Sequence, residues 1–343
     1  MSKSDVLIIG AGISGITVAL ELAQLGLSPS LIEREASIGG LSASFCCKAS
    51  EACNKCFACV VDKTISEVQQ HQDISILTQT ELTGIKGSPG DYHLSLKKNK
   101  EILDRNVSAV VVAAGVDPYD ASQKGEYGYR RYKNVMTAKD LDEMLRYHGR
   151  LFRPSDGRLP KKIAFFQCVG SRDESIGNLY CSQVCCAYAL RLIKALRYQY
   201  PEVEATFLYI DIQPAGASFQ PFLDSCRQDK GIRLIRSLPS KIYNAPRTED
   251  LRVRLTDPQK DAVVEESFDL IVLSVGMVPR KATKTLLEFF NLALTEDGFI
   301  ASPSSRTGIF VTGACTGPKD IDRSILQAKS TAFQVQQYLE GRN

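Results

Sequence analysis

The N-terminal stretch VLIIGAGISG constrains the fold of this chain more than any other feature. A short apolar run is followed by Gly10, Gly12 and Gly15 in G-x-G-x-x-G spacing, and apolar residues then recur with helical spacing over Ile16–Leu25. The next apolar run, SLIE, ends at the acidic residue Glu33. A strand–turn–helix–strand unit that ends in an acid is typical of a dinucleotide-binding domain. The chain is therefore predicted to be α/β and to begin with a Rossmann-like domain.

The glycine loop and the helix after it are predicted to bind a pyrophosphate. Gly10 permits a tight turn, Gly12 lets the backbone approach the phosphates, and Gly15 lets the helix pack closely on the strand. Ile13–Ser14 lie at the helix N-terminus, which presents free N–H groups and a positive dipole end to the ligand. Glu33 is the candidate partner of the adenosine ribose hydroxyls.

Composition narrows the class of protein. A length of 343 residues suggests two domains, or one domain with another inserted. A net charge of +3 is too small to indicate a nucleic-acid partner, and no apolar run is long enough to predict a membrane span. Eleven cysteines without a secretory signal fit a reducing, cytoplasmic compartment, where clustered cysteines more often bind metal or carry out redox chemistry.

The layout after Glu33 resembles the FAD domain of the disulfide oxidoreductase flavoproteins. Gly39-Gly40 follows closely, then come a strand near 74–79, a small β-meander, and a buried strand from Val107 to Ala113. GIFVTGAC at 308–315 fits the last strand of that domain, although the usual Gly-Asp there reads Gly313-Ala314. The resemblance implies that the FAD site also includes Arg34, Leu41, Leu82, Ala113, Ala114 and Gly115.

The same resemblance implies two Rossmann-like three-layer domains, arranged as in thioredoxin and glutathione reductases. Residues 1–115 and 279–343 are expected to form a discontinuous FAD domain, and 116–278 an inserted NAD(P)H-like domain. The opening strand of the insert, Ile163–Gln167, is followed by Cys-Val-Gly-Ser-Arg, in which Gly170 is the one glycine. Side chains at these positions hinder the approach of a pyrophosphate, so NAD(P)H is not expected to bind.

Four cysteines occupy this second turn in C-x12-C-x3-C-C spacing. Cys168 follows the strand, and Cys181, Cys185 and Cys186 come just before or within the next predicted helix. Cys181 and Cys185 are one helical turn apart and are expected to share a helix face. Four thiolates near a helix start suit an iron–sulfur cluster, whereas structural zinc sites favour two C-x2-4-C pairs. Buried free thiols remain the alternative.

A second group of cysteines is open to three interpretations. Cys53, Cys56 and Cys59 form C-x2-C-x2-C, shortly after Cys46-Cys47. They could be part of a second cluster, a redox dithiol near the flavin, or uncoordinated loop residues, because spacing alone does not separate these. The isolated residues Cys226 and Cys315 are predicted to be buried packing residues.

Three motifs in order carry a more specific resemblance. QCVGSRDE…YCSQVCC resembles the segment that binds an unusual 4Fe-4S cluster in the A subunits of heterodisulfide reductases. CNKCFACVVDK, at 53–63, and GACTGPKDID, at 313–322, resemble two further segments of that family. Because the chain begins at the FAD strand and has no C-x2-C-x2-C-x3-C-P run, it resembles the short form found in bacterial sulfur-oxidising complexes.

This resemblance implies an FAD and 4Fe-4S electron-transfer subunit that forms a homodimer and works with heterodisulfide-reductase-type B and C subunits. Thiol/disulfide or sulfur-compound oxidation is the implied reaction. Asp320 is the expected N-cap of a helix over Ile321–Leu339, whose N-terminus would face the flavin, while Lys319 either adds to that charge or is simply exposed. Two rivals remain, an NAD(P)H-dependent disulfide reductase using Cys56 and Cys59, and a non-catalytic scaffold with structural zinc.

Overall fold

The computed structural model describes residues 6–213, 219–245, 248–258, 260–304 and 307–341. In chain order, the helices and strands of these residues are β1 (Val6–Ile9), α1 (Ile13–Gln24), β2 (Ser30–Ile32), α2 (Ala58–Gln70), β3 (Ser75–Leu77), β4 (Thr80–Ser88), β5 (Asp91–Lys98), β6 (Glu101–Val107), β7 (Ala109–Val112), β8 (Val116–Pro118), β9 (Val135–Thr137), α3 (Ala138–His148), β10 (Lys162–Val169), α4 (Cys185–Gln199), β11 (Glu204–Leu208), α5 (Phe219–Gln228), β12 (Ile232–Ile235), β13 (Lys241–Asn244), β14 (Leu251–Asp257), β15 (Ala262–Phe268), β16 (Leu270–Val275), β17 (Met277–Pro279), α6 (Lys284–Phe290), β18 (Ile309–Val311) and α7 (Ile321–Glu340).

The chain divides into two compact units. Unit 1 comprises Met1–Ala43, Phe57–Asp117 and Val278–Asn343, and unit 2 comprises Ser44–Cys56 and Pro118–Met277. The sequence predicts 44–56 as part of the first domain, whereas in the structure this segment groups with unit 2.

Buried polar contacts explain where residues 44–56 lie. The Lys48 ammonium pairs with the Asp142 carboxylate of α3 at 2.7 Å, and both side chains are almost completely buried. The backbone N–H of Cys46 also donates to Asp142, at 2.8 Å. The ring of Phe45 packs on that of Tyr188 in α4, with centroids 5.3 Å apart. A single buried lysine belongs to no periodic pattern of residues, so the sequence does not predict this placement.

Unit 1 has three layers around a parallel sheet of order β3-β2-β1-β7-β18. This is the 3-2-1-4-5 order of the Rossmann fold. The central strands β1 and β7 are buried on both faces, which matches their continuous apolar sequences VLII and AVVV. Apolar residues of α1, α2 and α7 cover one face, and those of the β4–β5–β6 meander cover the other.

Unit 2 also has a five-stranded parallel sheet, of order β12-β11-β10-β16-β9, in which the edge strand β9 comes first in the chain. Its core joins Phe165 of β10 and Phe207 of β11 to Leu190 and Ile193 of α4, with further apolar residues from α3 and α5. A small antiparallel sheet, β13-β14-β15, completes the unit. In such sheets ligands bind beyond the carboxyl ends of the central strands, which here means the end of β10.

Local capping agrees with the sequence where it can be checked. The side chain of Asp320 accepts the backbone N–H of Arg323 and caps α7, as predicted.

Of the helices in the described residues, none combines the length and apolar character needed to cross a bilayer.

Candidate functional site

The glycine loop of unit 1 has two kinds of glycine. Gly10 has φ +102°, and a Cβ there would lie 2.5 Å from the Ala113 carbonyl oxygen, while a Cβ on Gly15 would lie 1.9 Å from the Gly10 oxygen. These two glycines therefore serve close packing of strand and helix. A Cβ on Gly12 would meet nothing within 4 Å. Gly12 is also the N-cap residue of α1, and no side chain caps this helix. The free N–H groups at the start of α1 therefore lie next to open space.

The acid and the second glycine pair lie beside this loop. Glu33 is buried, and its carboxylate accepts the backbone N–H groups of Ala11 at 2.9 Å and Glu35 at 3.1 Å. The backbone N–H of Gly39 donates to the Ala11 oxygen at 2.7 Å, and a Cβ on Gly40 would lie 3.1 Å from Gly12 Cα. The structure thus brings the predicted phosphate and ribose positions together at one end of the sheet.

The loop between β18 and α7 reaches the same helix start. A Cβ on Gly313 would lie 2.3 Å from Ser14 Oγ in the first turn of α1. The ammonium of Lys319 donates to the Gly313 and Gly317 carbonyl oxygens, each at 3.0 Å, and to Thr316 Oγ1 at 2.8 Å. Lys319 therefore ties its own loop together. The side chain is only partly exposed, and Ala314 lies inside the loop that it closes.

The other predicted FAD residues occupy several environments. Leu82 is buried in the core beneath the β-meander, and Arg34 donates to Glu35 on the surface. Leu41 lies in a short 3-10 turn after Gly40. Ala113–Gly115 directly follow β7, and a Cβ on Gly115 would have no neighbour within 4 Å. Ile321 is the half-buried first residue of α7.

The end of β10 is irregular at its cysteine. The register of β10 against β16 shifts between Phe166 and Val169, and Cys168 has φ +60°, in the left-handed region. Such bulges redirect a side chain at the edge of a sheet. Cys168 is aimed in this way from the carboxyl end of the central strand, where a nucleotide phosphate would lie in an ordinary dinucleotide-binding domain.

The other three cysteines approach it from the start of α4. Because α4 begins at Cys185, Cys181 lies before the helix, and the expected shared helix face for Cys181 and Cys185 is wrong. The cause is Gln183, whose φ of +58° interrupts helical geometry. Cys185 nevertheless hydrogen-bonds to both Cys168 and Cys186, so the thiols do converge.

Hydrogen bonds and burial set the electrostatics of these thiols. Hydrogen bonding by Cys185 lowers the pKa of Cys168 and Cys186, while the same bonds and complete burial raise the pKa of Cys185 well above its ordinary value. Burial raises the pKa of Cys181. Backbone N–H groups reach two sulfurs, from Gln183 to Cys181 at 3.2 Å and from Gln213 to Cys186.

The described side chains do not form a ready single-ion site. Across the residues that the structure describes, no three His, Cys, Asp or Glu side chains are arranged to hold one metal ion. The chain has four thiols near the end of β10 and the start of α4. Backbone N–H groups donate to two of the sulfurs, and no side chain caps the start of the helix. That donor chemistry suits a polynuclear iron–sulfur group.

Gly170, the glycine that directly follows β10, serves packing. It has φ +79°, and a Cβ there would lie 2.0 Å from the ring of Tyr119. A tyrosine ring therefore fills the space above this glycine, whereas Gly177, later in the same turn, has no neighbour within 4 Å of its Cβ position.

The second cysteine group is divided between the units. Cys46, Cys47, Cys53 and Cys56 belong to the segment packed in unit 2, whereas Cys59 lies in α2 of unit 1. All five are free thiols, and burial followed by the negative charge of Asp142 raises the pKa of Cys46 to about 12. Cys226 and Cys315 are buried packing residues, as predicted, at 0% and 3% exposure.

Sequence reasoning missed one charged partner of the cysteine site. Arg172, in the turn after β10, forms an ion pair with Asp211. Asp211 follows the carboxyl end of β11, the strand next to β10. A polar residue at the end of a neighbouring parallel strand was the signal that could have identified it.

Comparisons with known proteins agree with this architecture. Residues 5–46 match the family model of FAD-dependent oxidoreductases. The chain is 32% identical over 417 residues to the iron-sulfur A subunit 2 of CoB–CoM heterodisulfide reductase from Methanopyrus kandleri, covering 96% of this chain and 63% of that protein. It is 32% identical over 429 residues to the A subunit of the ferredoxin/F420H2-dependent CoB–CoM heterodisulfide reductase of Methanosarcina acetivorans, covering 98% and 53%. The chain thus spans between half and two thirds of the length of these curated relatives.

The fold is also found in solved structures. Thioredoxin reductase of T. acidophilum superposes with a TM-score of 0.63 over 99% of both chains at 16% sequence identity, which speaks for the fold alone. The predicted two-domain flavoprotein fold and the predicted resemblance to heterodisulfide reductase A subunits are both confirmed. Over nearly its whole length this chain is therefore similar to the heterodisulfide reductase A subunits, and it is built on the fold of the thioredoxin reductases.

Proposed function

We propose that this chain is an FAD- and 4Fe-4S-containing electron-transfer oxidoreductase subunit of a heterodisulfide-reductase-like complex. One observation carries the proposal. The Cys185 thiol interacts with those of Cys168 and Cys186 at the end of β10, and Cys181 precedes the same helix, at the point of the fold where a nucleotide phosphate would otherwise lie. The second dinucleotide position of the fold thereby becomes a place for single-electron transfer.

The residues around α1 fit FAD. Gly12 leaves room for the pyrophosphate, and Gly39-Gly40 and Glu33 lie beside it. When bound, FAD exchanges two electrons with its partners. The protein contributes binding and orientation. The N-terminus of α1 attracts the phosphates, and the rigid loop closed by Lys319 delivers the Asp320-capped start of α7 toward the same end of the sheet.

The residues at β10 and α4 fit an iron–sulfur cluster. Cys168, Cys181, Cys185 and Cys186 would hold it, and the cluster would supply single-electron transfer. Cys185 and Cys186 are buried, while Cys168 and Cys181 are partly exposed. The ligands on α4 are therefore held by the core, and the site opens toward solvent on the side of the β10–α4 turn.

Partners and substrate follow from the relatives. The curated relatives are named as subunits of heterodisulfide reductases, so we propose partner subunits of the B and C type, and a homodimer. Thiol/disulfide or sulfur-compound oxidation in the cytoplasm, as in the short bacterial form, is the proposed setting.

The disulfide reductase rival has less support. It requires an NAD(P)H site, yet Gly170, the glycine that directly follows β10, is packed under Tyr119. The zinc scaffold fits poorly with the C-x12-C-x3-C-C spacing, because structural zinc sites favour two C-x2-4-C pairs.

The test is a cofactor analysis of anaerobically purified protein. The wild type should contain FAD, iron and acid-labile sulfide. Cys181→Ala and Cys185→Ala should lose iron and sulfide yet keep FAD, because the FAD residues lie in other segments. Cys226→Ala, which alters a buried packing cysteine of the same unit, is the matched control and should keep all three.

Two outcomes would count against the proposal. Unchanged iron after alanine substitution of each of the four cysteines would move the cluster to the CNKCFAC stretch. Zinc without sulfide in the wild type would support the scaffold instead.

A further inference from the structure

A partly buried ion pair adjoins the four thiols of unit 2. Arg172 lies in the turn after β10, with φ +54°, and its backbone N–H donates to the Tyr180 oxygen at 3.0 Å. Its guanidinium binds the Asp211 carboxylate, and the two side chains are 25% and 43% exposed. Because both backbone and side chain hold Arg172, its charge has a fixed position beside the cysteine turn.

The pair is linked to the cysteines through Cys186. The Cys186 thiol donates weakly to the Asp211 carbonyl oxygen, at 3.9 Å between sulfur and oxygen. The positive charge of Arg172 acts on Cys168, Cys181 and Cys186, and the negative charge of Asp211 acts on Cys168 and Cys186. Two opposite charges therefore act on the same group of sulfurs from one side.

We propose that the Arg172–Asp211 pair sets the reduction potential of the group held by the four cysteines, Arg172 raising it and Asp211 lowering it. The inference rests on the iron–sulfur cluster proposed above. Reduction adds one electron, and so one negative charge, to the cluster without breaking a bond. A fixed cation nearby favours the reduced form and a fixed anion the oxidised form.

The assignment predicts that neutralising Arg172 and neutralising Asp211 shift the reduction potential in opposite directions. The measurement is a potentiometric titration of the full-length protein, with dithionite as electron source, mediator dyes, and electron paramagnetic resonance of the reduced cluster as readout. Arg172→Gln should move the midpoint potential to more negative values, and Asp211→Asn to more positive values. Arg172→Lys, which keeps the charge, should stay close to the wild type.

Arg252→Gln is the matched control. It also removes one positive charge of unit 2, from an exposed ion pair with Glu265 on a separate small sheet, so it should leave the potential unchanged.

The inference is overturned if Arg172→Gln, with its iron content intact, has the wild-type potential, or if both variants shift in the same direction. If Arg172→Gln loses its iron, the potential of Asp211→Asn alone tests the inference, because that variant keeps the arginine. In that case an unchanged or more negative potential overturns the inference. A wild type without iron and sulfide would instead refute the proposed function.

Discussion

At the scale of single residues, two glycines at equivalent turns have opposite surroundings. The Cβ position of Gly12 is open, whereas that of Gly170 lies against the ring of Tyr119. Both turns join the central strand of a parallel sheet to a helix. The identity of the neighbour above the glycine, rather than the glycine itself, distinguishes a turn that can receive a phosphate from one that cannot.

Gly12→Val should yield folded protein that lacks FAD. The valine side chain has room in the protein itself, but it would occupy the space proposed for the pyrophosphate. We expect FAD occupancy below about a tenth of the wild-type value, since a steric block costs more than ~1.4 kcal/mol of binding free energy. The flavin absorbance per protein is the measurement, with circular dichroism as a check of folding.

Gly125→Val is the matched control for this substitution. Gly125 lies in unit 2, has no positive φ, and would also accept a Cβ without a neighbour within 4 Å. It should retain FAD. Full flavin content in Gly12→Val would show that the phosphates bind elsewhere.

The sequence predicts residues whose roles depend on local spacing, and it misses those whose roles depend on a distant partner. Gly10, Gly12 and Gly15 stand in a motif, and the structure places them together. The ion pair of Arg172 with Asp211 joins residues that follow adjacent parallel strands, so its sequence separation follows no pattern. The same is true of Lys48 and Asp142.

At the scale of elements, the segment 44–56 is fixed to unit 2 by a buried network. Lys48 lies over the rings of Phe45 and Tyr188, 5.3 and 5.0 Å from their centroids, and pairs with Asp142. The hydroxyl of Tyr188 donates to the same carboxylate at 2.6 Å. Since Tyr188 lies in α4 shortly after Cys185, this network ties the segment to the helix that carries the proposed cluster ligands.

Lys48→Met should destabilise unit 2 strongly. The substitution leaves the Asp142 carboxylate buried without its cation, a change that typically costs about 3–5 kcal/mol. The double variant Lys48→Met with Asp142→Asn should recover much of that loss, because the amide keeps an acceptor for Cys46 and carries no charge. Thermal unfolding followed by circular dichroism measures both.

Lys139→Met provides the comparison for Lys48. It breaks a partly exposed pair with Glu143 on α3 and should cost less than about 1 kcal/mol. Unfolding of Lys48→Met at the wild-type temperature would mean that the buried pair does not fix the segment.

The sequence predicts the elements themselves better than their ends. The apolar runs identify β1, β7, β10 and β18, and the N-cap of α7 is found from Asp320. The start of α4 is not found, because spacing suggested a helix through Cys181 while the left-handed backbone at Gln183 delays it to Cys185. A left-handed glutamine has no sequence signature, so the mutual arrangement of the cysteines needed the structure.

At the scale of the whole molecule, the two units use similar five-stranded parallel sheets for two purposes. Both sheets place a central strand, a turn and a helix at the position where ligands of such folds bind. In unit 1 the turn keeps its open glycine, and in unit 2 it carries cysteines. We therefore predict that the chain passes electrons onward and does not take hydride from a nicotinamide.

This division predicts the response of the isolated protein to pyridine nucleotides. NADH and NADPH should reduce its flavin slowly and incompletely, because the turn after β10 offers side chains and a tyrosine ring where the pyrophosphate would need backbone N–H groups and open space. The measurement is stopped-flow absorbance of the flavin under anaerobic conditions, with dithionite as the control reductant that should bleach it fully. Rapid, stoichiometric bleaching by either nucleotide without partner subunits would contradict the prediction and favour a disulfide reductase. Replacing Tyr119 by alanine then separates the two explanations, since a cryptic nucleotide site would become faster on losing the ring, whereas a turn built for thiols would remain unresponsive.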